Sequence, residues 1–384
     1  MTRRTSKLFE SFFIGGFECS THRRKVDRKR LDMIAATEHE RYVHEDYARL
    51  QAHNIRTARE GVRWHLVEKS PGVYDFTSLL PIIRAARETH TQVIWDLFHY
   101  GYPDDIDIFA PHFITRFVRL AREFARLLKD ETDTAPFVAP VNEISFFSWA
   151  AAQVGFFHPF ARARGDELKA QLVRAAIAAT EELWAVNAQT RIAQIDPAIN
   201  VIARNPRDAR QRRTAENYRL AQFAGWDMLG GRIRPEIGGA EKYLDIIGVN
   251  FYSYNQWQHG GATIDRSDVR YRPFREMLAE IHERYHRPIF IAETGIEDSA
   301  RPAWLAYIGE EARAAISAGV DLQGICLYPI LNHPGWDDER HCHNGLWDYA
   351  DERGERAIYQ PLADELSRQQ ALVPQMNVQE TESS

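Results

Sequence analysis

Two glutamates close short apolar runs. Glu143 follows 137–141 (Phe-Val-Ala-Pro-Val) by one asparagine, and Glu293 follows 288–292 (Pro-Ile-Phe-Ile-Ala) directly. Two carboxyls in one site can divide acid–base and nucleophilic work, provided their environments push them to different protonation states. The bland alternative is that each bridges a nearby arginine, because a buried carboxylate is costly unless paired. A second cluster, His333, Asp337, Asp338, His341, Cys342 and His343, places metal-binding types close together. His341-Cys-His343 offers ligands at alternate positions. No spaced partner such as H-E-x-x-H accompanies it. A polar loop is the favoured reading, with no metal and no cofactor expected.

Both glutamates need elements that aim them at one place. Eight short runs rich in Val, Ile or Phe alternate with helical stretches, at 13–17, 55–58, 92–97, 137–141, 199–203, 244–251, 288–292 and 324–327. Such runs suit strands buried on both faces. Between them, 111–128 sets Phe113, Phe117, Leu120, Phe124 and Leu127 at three- and four-residue steps, and 40–53, 166–195 and 301–318 have the same helical spacing. Eightfold alternation predicts an α/β chain folded as a single (β/α)8 TIM barrel, with its site at the C-terminal strand ends. A doubly wound open sheet would want a Gly-rich phosphate loop after the first strand. None follows Gly15-Gly16. The expected catalytic barrel spans 1–370, and 371–384 is expected to be a disordered tail.

Composition narrows the partners. The 384 residues are 44% apolar and carry a formal net charge of −6. That argues against a nucleic-acid binder driven by bulk electrostatics, despite the basic cluster from Arg23 to Arg30. No apolar run approaches the ~20 residues of a membrane helix, and no signal-peptide core stands at the start. Cys19, Cys326 and Cys342 lie too far apart in sequence for a disulfide framework. A cytoplasmic protein with free thiols is the simplest expectation. Nine tryptophans, fifteen tyrosines and twenty phenylalanines suit a large core, a pocket for flat ligand faces, or both.

Several segments together resemble a known group. Phe98-His-Tyr-Gly-Tyr-Pro103 resembles F-H-W-D-L-P. Asn142-Glu143 resembles the centre of T-x-N-E-P, and Gly248-Val-Asn-Phe-Tyr-Ser253 resembles G-x-N-Y-Y-S. Pro288 to Gly295 resembles P-I-Y-I-T-E-N-G. Tyr328 to Trp336 aligns without gaps on W-S-L-x-D-N-F-E-W, and Asn344-Gly-Leu-Trp-Asp348 follows. The group is the clan A glycoside hydrolases, with the family 1 β-glucosidases nearest.

The resemblance implies a carbohydrate substrate and a retaining mechanism, with Glu143 as acid/base and Glu293 as nucleophile. Retention wants carboxyls ~5–5.5 Å apart, inversion ~6.5–9.5 Å. It further implies that Tyr252 bonds the nucleophile and that Asn142 grips the sugar 2-hydroxyl. His99 would contact the sugar, Arg59, ending strand 2, would support Glu293, and Trp336 and Tyr328 would face the ring. Trp64 and Trp257 are candidates for the mouth or the core. The departures are specific. Gly335 stands where the family has a sugar-binding glutamate, Tyr328 replaces a tryptophan, Ile144 a proline and Gly101 an aspartate. Glu18 occupies the region of the strand 1 glutamine. Cleavage machinery is kept while the clamp on the hydroxymethyl group is altered, which implies a non-standard glycone: deoxy, pentose, charged or oligosaccharide. A transglycosidase with the same carboxyls and a sugar-binding barrel without catalysis are the other readings.

Overall fold

The computed structural model describes residues 8–373. Eight parallel strands close a barrel: β1 (Phe13–Gly16), β2 (Thr57–Gly61), β3 (Gln92–Asp96), β4 (Phe137–Ala139), β5 (Arg191–Pro197), β6 (Ile246–Asn250), β7 (Ile289–Thr294) and β8 (Leu322–Leu327). β1 closes the ring by pairing with both β2 and β8. Helices follow each strand in turn: α1 (His39–Ala52), α2 (Leu80–Glu88), α3 (Pro111–Glu131), α4 (Gly165–Val186), α5 (Ala209–Leu220), α6 (Phe274–Tyr285), α7 (Arg301–Ser317) and α8 (Gln360–Leu372). The expected (β/α)8 barrel is the observed fold.

Packing follows from the strand pattern. Successive side chains point to opposite faces of a strand. Ile14, Ile94, Ala139, Ile195, Phe290 and Cys326 fill the barrel interior, and Phe9 plugs its floor against Phe137 and Phe290 at 5.5 and 5.2 Å. The opposite strand faces meet the apolar stripes of the helices; α3 buries Phe113, Phe117, Leu120 and Phe124 there.

Several boundaries differ from the sequence expectation. The fifth strand is 191–197, not 199–203, and the helix expected over 166–195 ends at Val186. Asn187 leaves helical geometry (φ −144°, ψ 102°), and Thr190 turns back onto its carbonyl. β5 buries Gln194 and Asp196 among its apolar residues, and those polar residues blurred the strand pattern. Asn200–Ile202 is a strand, but it pairs with Gln256–Gln258 outside the barrel. In β2, Arg59 lies inside the strand rather than at its end, because pairing with β3 runs on to Gly61 opposite Asp96. Of the expected tail, Ala371 and Leu372 belong to α8, while 374–384 lie outside the described residues. Among the described residues, no helix is long and apolar enough to cross a membrane. Cys19, Cys326 and Cys342 are free and buried.

Candidate active site

The mouth of the barrel is built from backbone irregularities at strand ends. After β4, the Asn142 amide donates to the Phe98 carbonyl (2.9 Å) and the Glu143 amide to the Ile195 carbonyl (3.0 Å). These bonds pin Glu143 between the segment after β3 and β5. Its backbone is left-handed (φ 50°), as is that of Tyr100 (φ 71°). Each such residue costs roughly 1–2 kcal/mol, and strain of this kind clusters at functional sites. In β7 the register against β6 shifts between Ile291 and Glu293. A bulge re-aims the side chains around it, and here both the Ala292 carbonyl and the Glu293 carboxylate meet Arg59.

Arg59 organises the floor. It is fully buried, and all five of its N–H groups are used. Nε and Nη2 reach the two Asp96 oxygens at 3.2 and 2.7 Å. Nη1 donates to the Ala292 carbonyl (2.9 Å) and Glu293 Oε1 (2.8 Å), and Nη2 also to Asn142 Oδ1 (2.8 Å). Burial works against ionisation of Asp96, but Arg59 and His99 outweigh it and hold its carboxyl below the usual range. The His99 Nδ1 lies 2.9 Å from Asp96 and its Nε2 3.2 Å from the Asn142 amide nitrogen.

The two glutamates live in different surroundings. Glu293 receives Arg59 on one oxygen and the Tyr252 hydroxyl (2.8 Å) on the other. Glu143 has no cation. It accepts from Asn250 Nδ2 (2.9 Å) and from the Tyr100 hydroxyl. Burial, and next the charge of Glu293, push its pKa up to about 8. One carboxyl is therefore a proton donor at neutral pH, and the other sits beside a fixed cation.

Both carboxyls line one cavity of about 780 Å³, with Glu18, Tyr252, Trp257 and Trp336 among its walls, a volume ordinary for a small-molecule site. Its far wall, on the β4–β6 side, carries Trp149, Lys169, Tyr218 and Tyr254. Of the residues singled out from sequence, Arg59, Asn142, His99 and Tyr328 form the layer behind this lining. Tyr328 is stacked on His99 with 6.0 Å between centroids and faces the Arg59 guanidinium. Trp64 is a core residue, packed on Phe113 and Phe117 with its indole N–H on Glu68. A Cβ at Gly101 would meet the Thr21 carbonyl oxygen at 2.5 Å, so the family's aspartate has no room there.

In the β8 loop, His341, His343 and Asp348 come within reach of one another. Cys342 is buried, and His333 stands apart, its nitrogens on the Pro334 carbonyl and Asn344. Two site residues escape a reading of the sequence: Asn250, although it lies inside the segment 248–253, and Asp96, which is marked only by its tertiary contacts with Arg59 and His99.

No family model and no curated protein matches the sequence. Solved structures do. A β-glucosidase from Thermotoga maritima in complex with glucoimidazole superposes with a TM-score of 0.76 at 15% identity, over 96% of this chain and 99% of that one. The chain has the fold of the β-glucosidases. A hyperthermophilic β-glucosidase mutant gives 0.74 at 15% identity, over 93% of this chain and 99% of that one. The AHE enzyme from Alicyclobacillus herbarius gives 0.73 at 17%, over 88% and 87%. At these identities the likeness is one of fold, and the chemistry must be argued from this chain's own side chains.

Proposed function

We propose that the protein is a retaining β-glycoside hydrolase acting on a non-standard glycone, with Glu143 as acid/base and Glu293 as nucleophile. The observation that carries this is the contrast between the two carboxyls in one cavity: Glu143 raised to about 8 with no cation, and Glu293 bonded to Arg59 and Tyr252. The β-glucosidase fold neighbours, one of them solved with glucoimidazole, support a sugar in this cavity.

The chemistry runs in two steps. A Glu293 oxygen attacks the anomeric carbon while the glycosidic C–O bond breaks, and the Glu143 proton goes to the leaving oxygen. The ester removes the charge of Glu293, so one of the causes raising Glu143 disappears. Glu143, now a carboxylate, takes a proton from water as the water oxygen attacks the anomeric carbon. The ester bond breaks and Glu293 is restored. Arg59 and Tyr252 hold the Glu293 carboxylate oriented until attack. Trp149, Tyr218 and Trp257, beyond Glu143 on the β4–β6 side, offer flat faces to the leaving group.

The altered glycone clamp supports the non-standard sugar. Gly335 has no side chain to offer, and a Cβ there would lie 2.0 Å from Asp338 Oδ1. A panel of aryl β-glycosides tests the whole reading. Proton NMR of the first-formed sugar should show the β-anomer, and a 2-fluoro-glycosyl donor should add its mass to Glu293. Release of the α-anomer, or an adduct on another residue, overturns the mechanism. A clear preference for plain β-glucosides overturns the non-standard glycone.

A further inference from the structure

Glu18 lies just beyond β1, on the wall of the same cavity. It is 6% exposed. Oε1 accepts from the Ser20 amide (2.9 Å) and also from the Ser20 hydroxyl. Oε2 has no hydrogen-bond partner among the described residues, and no Lys, Arg or His lies within ion-pair distance of either oxygen. Glu143 and Asp196 are also buried without an ion pair, but four other buried carboxylates are neutralised directly. Asp46, Asp96, Glu68 and Glu293 each hold an arginine at 2.7–3.0 Å.

The basic groups on this side of the molecule bring Glu18 no charge: His22, its ring 5.1 Å from that of Trp336, has both nitrogens unpartnered, but burial lowers its pKa to about 3 and leaves it neutral. Arg59 has no N–H left. His99 and His333 have both ring nitrogens engaged. Lys169, the cavity's other basic side chain, stands on α4, which joins β4 to β5 on the side of the barrel opposite β1. A buried carboxylate with no counter-charge is expensive, and the expense falls when a ligand brings the charge. A carboxylate is also acceptor-only. A hydroxyl would satisfy Oε2 but bring no charge, and an anionic sugar would be repelled by Glu18 and Glu293 together. An ammonium group supplies both donor and charge.

Resting on the glycosidase reading, we propose that the glycone is a basic amino sugar whose ammonium group binds the Glu18 carboxylate. Glu143 serves the leaving group on the β4 side, so Glu18, just beyond β1, faces the ring that stays behind. The amine must be free: N-acetylation removes both the charge and two donors, and adds bulk against the wall.

Calorimetric titration of the wild-type protein with monosaccharides tests this without turnover. Glucosamine, galactosamine, mannosamine and 3-amino-3-deoxyglucose are compared with their neutral parents and N-acetyl derivatives. At least one free amine should bind about 10- to 100-fold more tightly than its parent, as a charge-assisted hydrogen bond warrants. N-acetylation and Glu18→Gln should each erase that margin. The proposal is overturned if no amine outbinds its neutral parent, including the case where no amine binds, or if Glu18→Gln retains the preference. The comparison among sugars on the wild-type protein stands even if the variant does not fold. Failure of the glycosidase reading has its own signature: no turnover of any glycoside and no adduct on Glu293, whichever sugars bind.

Discussion

Arg59 and Glu60 are neighbours on β2, yet they anchor two separate networks of buried charge. Alternation along the strand sends Arg59 into the barrel and Glu60 outward beneath α1. The inner network joins Arg59 to Asp96, Asn142 and Glu293. The outer one joins Glu60 to His39 (2.9 Å) and Tyr47 (2.8 Å), His39 to Asp46 (2.8 Å), and Asp46 to Arg356 (2.7 Å). Both are almost wholly shielded from solvent. They differ in where they end. The inner network ends on a carboxylate that lines the cavity; the outer one is sealed by Phe17, stacked on His39 at 3.6 Å, and ties α1 to the segment before α8. Buried charge is common to both networks; access to a cavity, beside a second carboxyl whose pKa burial raises, belongs to the inner one.

Breaking each network should cost a different property. Glu293→Gln should reduce glycosidase turnover below detection, and Glu143→Gln should lower kcat by ~10²–10⁴-fold on unactivated substrates. Both should keep near-native denaturation midpoints. If their melting falls as far as their activity, the inner network is structural and the comparison fails. Arg356→Ala should do the reverse. Arg49 (2.7 Å) and His39 still face Asp46, so removing Arg356 leaves its carboxylate under-paired rather than bare and costs about 1–3 kcal/mol of stability, measured by urea titration, with kcat per folded molecule unchanged.

A third test uses pH. Burial alone would lower the pKa of His39, but Glu60 and Asp46 outweigh it and raise it to about 9. A raised folded pKa gives stability that is full below the unfolded value, near 6.5. It is lost as pH rises through about 9, amounting to about 3 kcal/mol in total. The stability gap between wild type and His39→Gln should therefore narrow from pH 6.5 to pH 9; a gap constant across that range would contradict a protonated His39. The smallest effect concerns the inner site. Loss of the Glu143 proton should cut kcat/KM above about pH 8, and Tyr252→Phe should lower kcat by about tenfold through loss of one hydrogen bond to a charged group.

Legibility in the sequence followed locality. Glu143, Glu293 and Tyr252 each sit in a short segment whose neighbours carry the pattern, so one-dimensional reading reached them. The outer network draws on positions 39, 46, 60 and 356, and no local pattern links them. β5 escapes strand periodicity for a related reason: its buried Gln194 and Asp196 bond to tertiary partners, the Tyr243 carbonyl and the Ser145 amide, which periodicity does not register.

The sequence by itself determined the alternation of eight strands with helices and the two carboxyls at strand ends. Apolar periodicity and residue type are properties of the chain, so they survive without coordinates. Only the tertiary structure decided which carboxyl is protonated, that Arg59 has no donor to spare, and that Glu18 faces the cavity without a cation. Those depend on burial and on distances of a few ångströms between residues far apart in sequence, where Coulomb energies and desolvation are set.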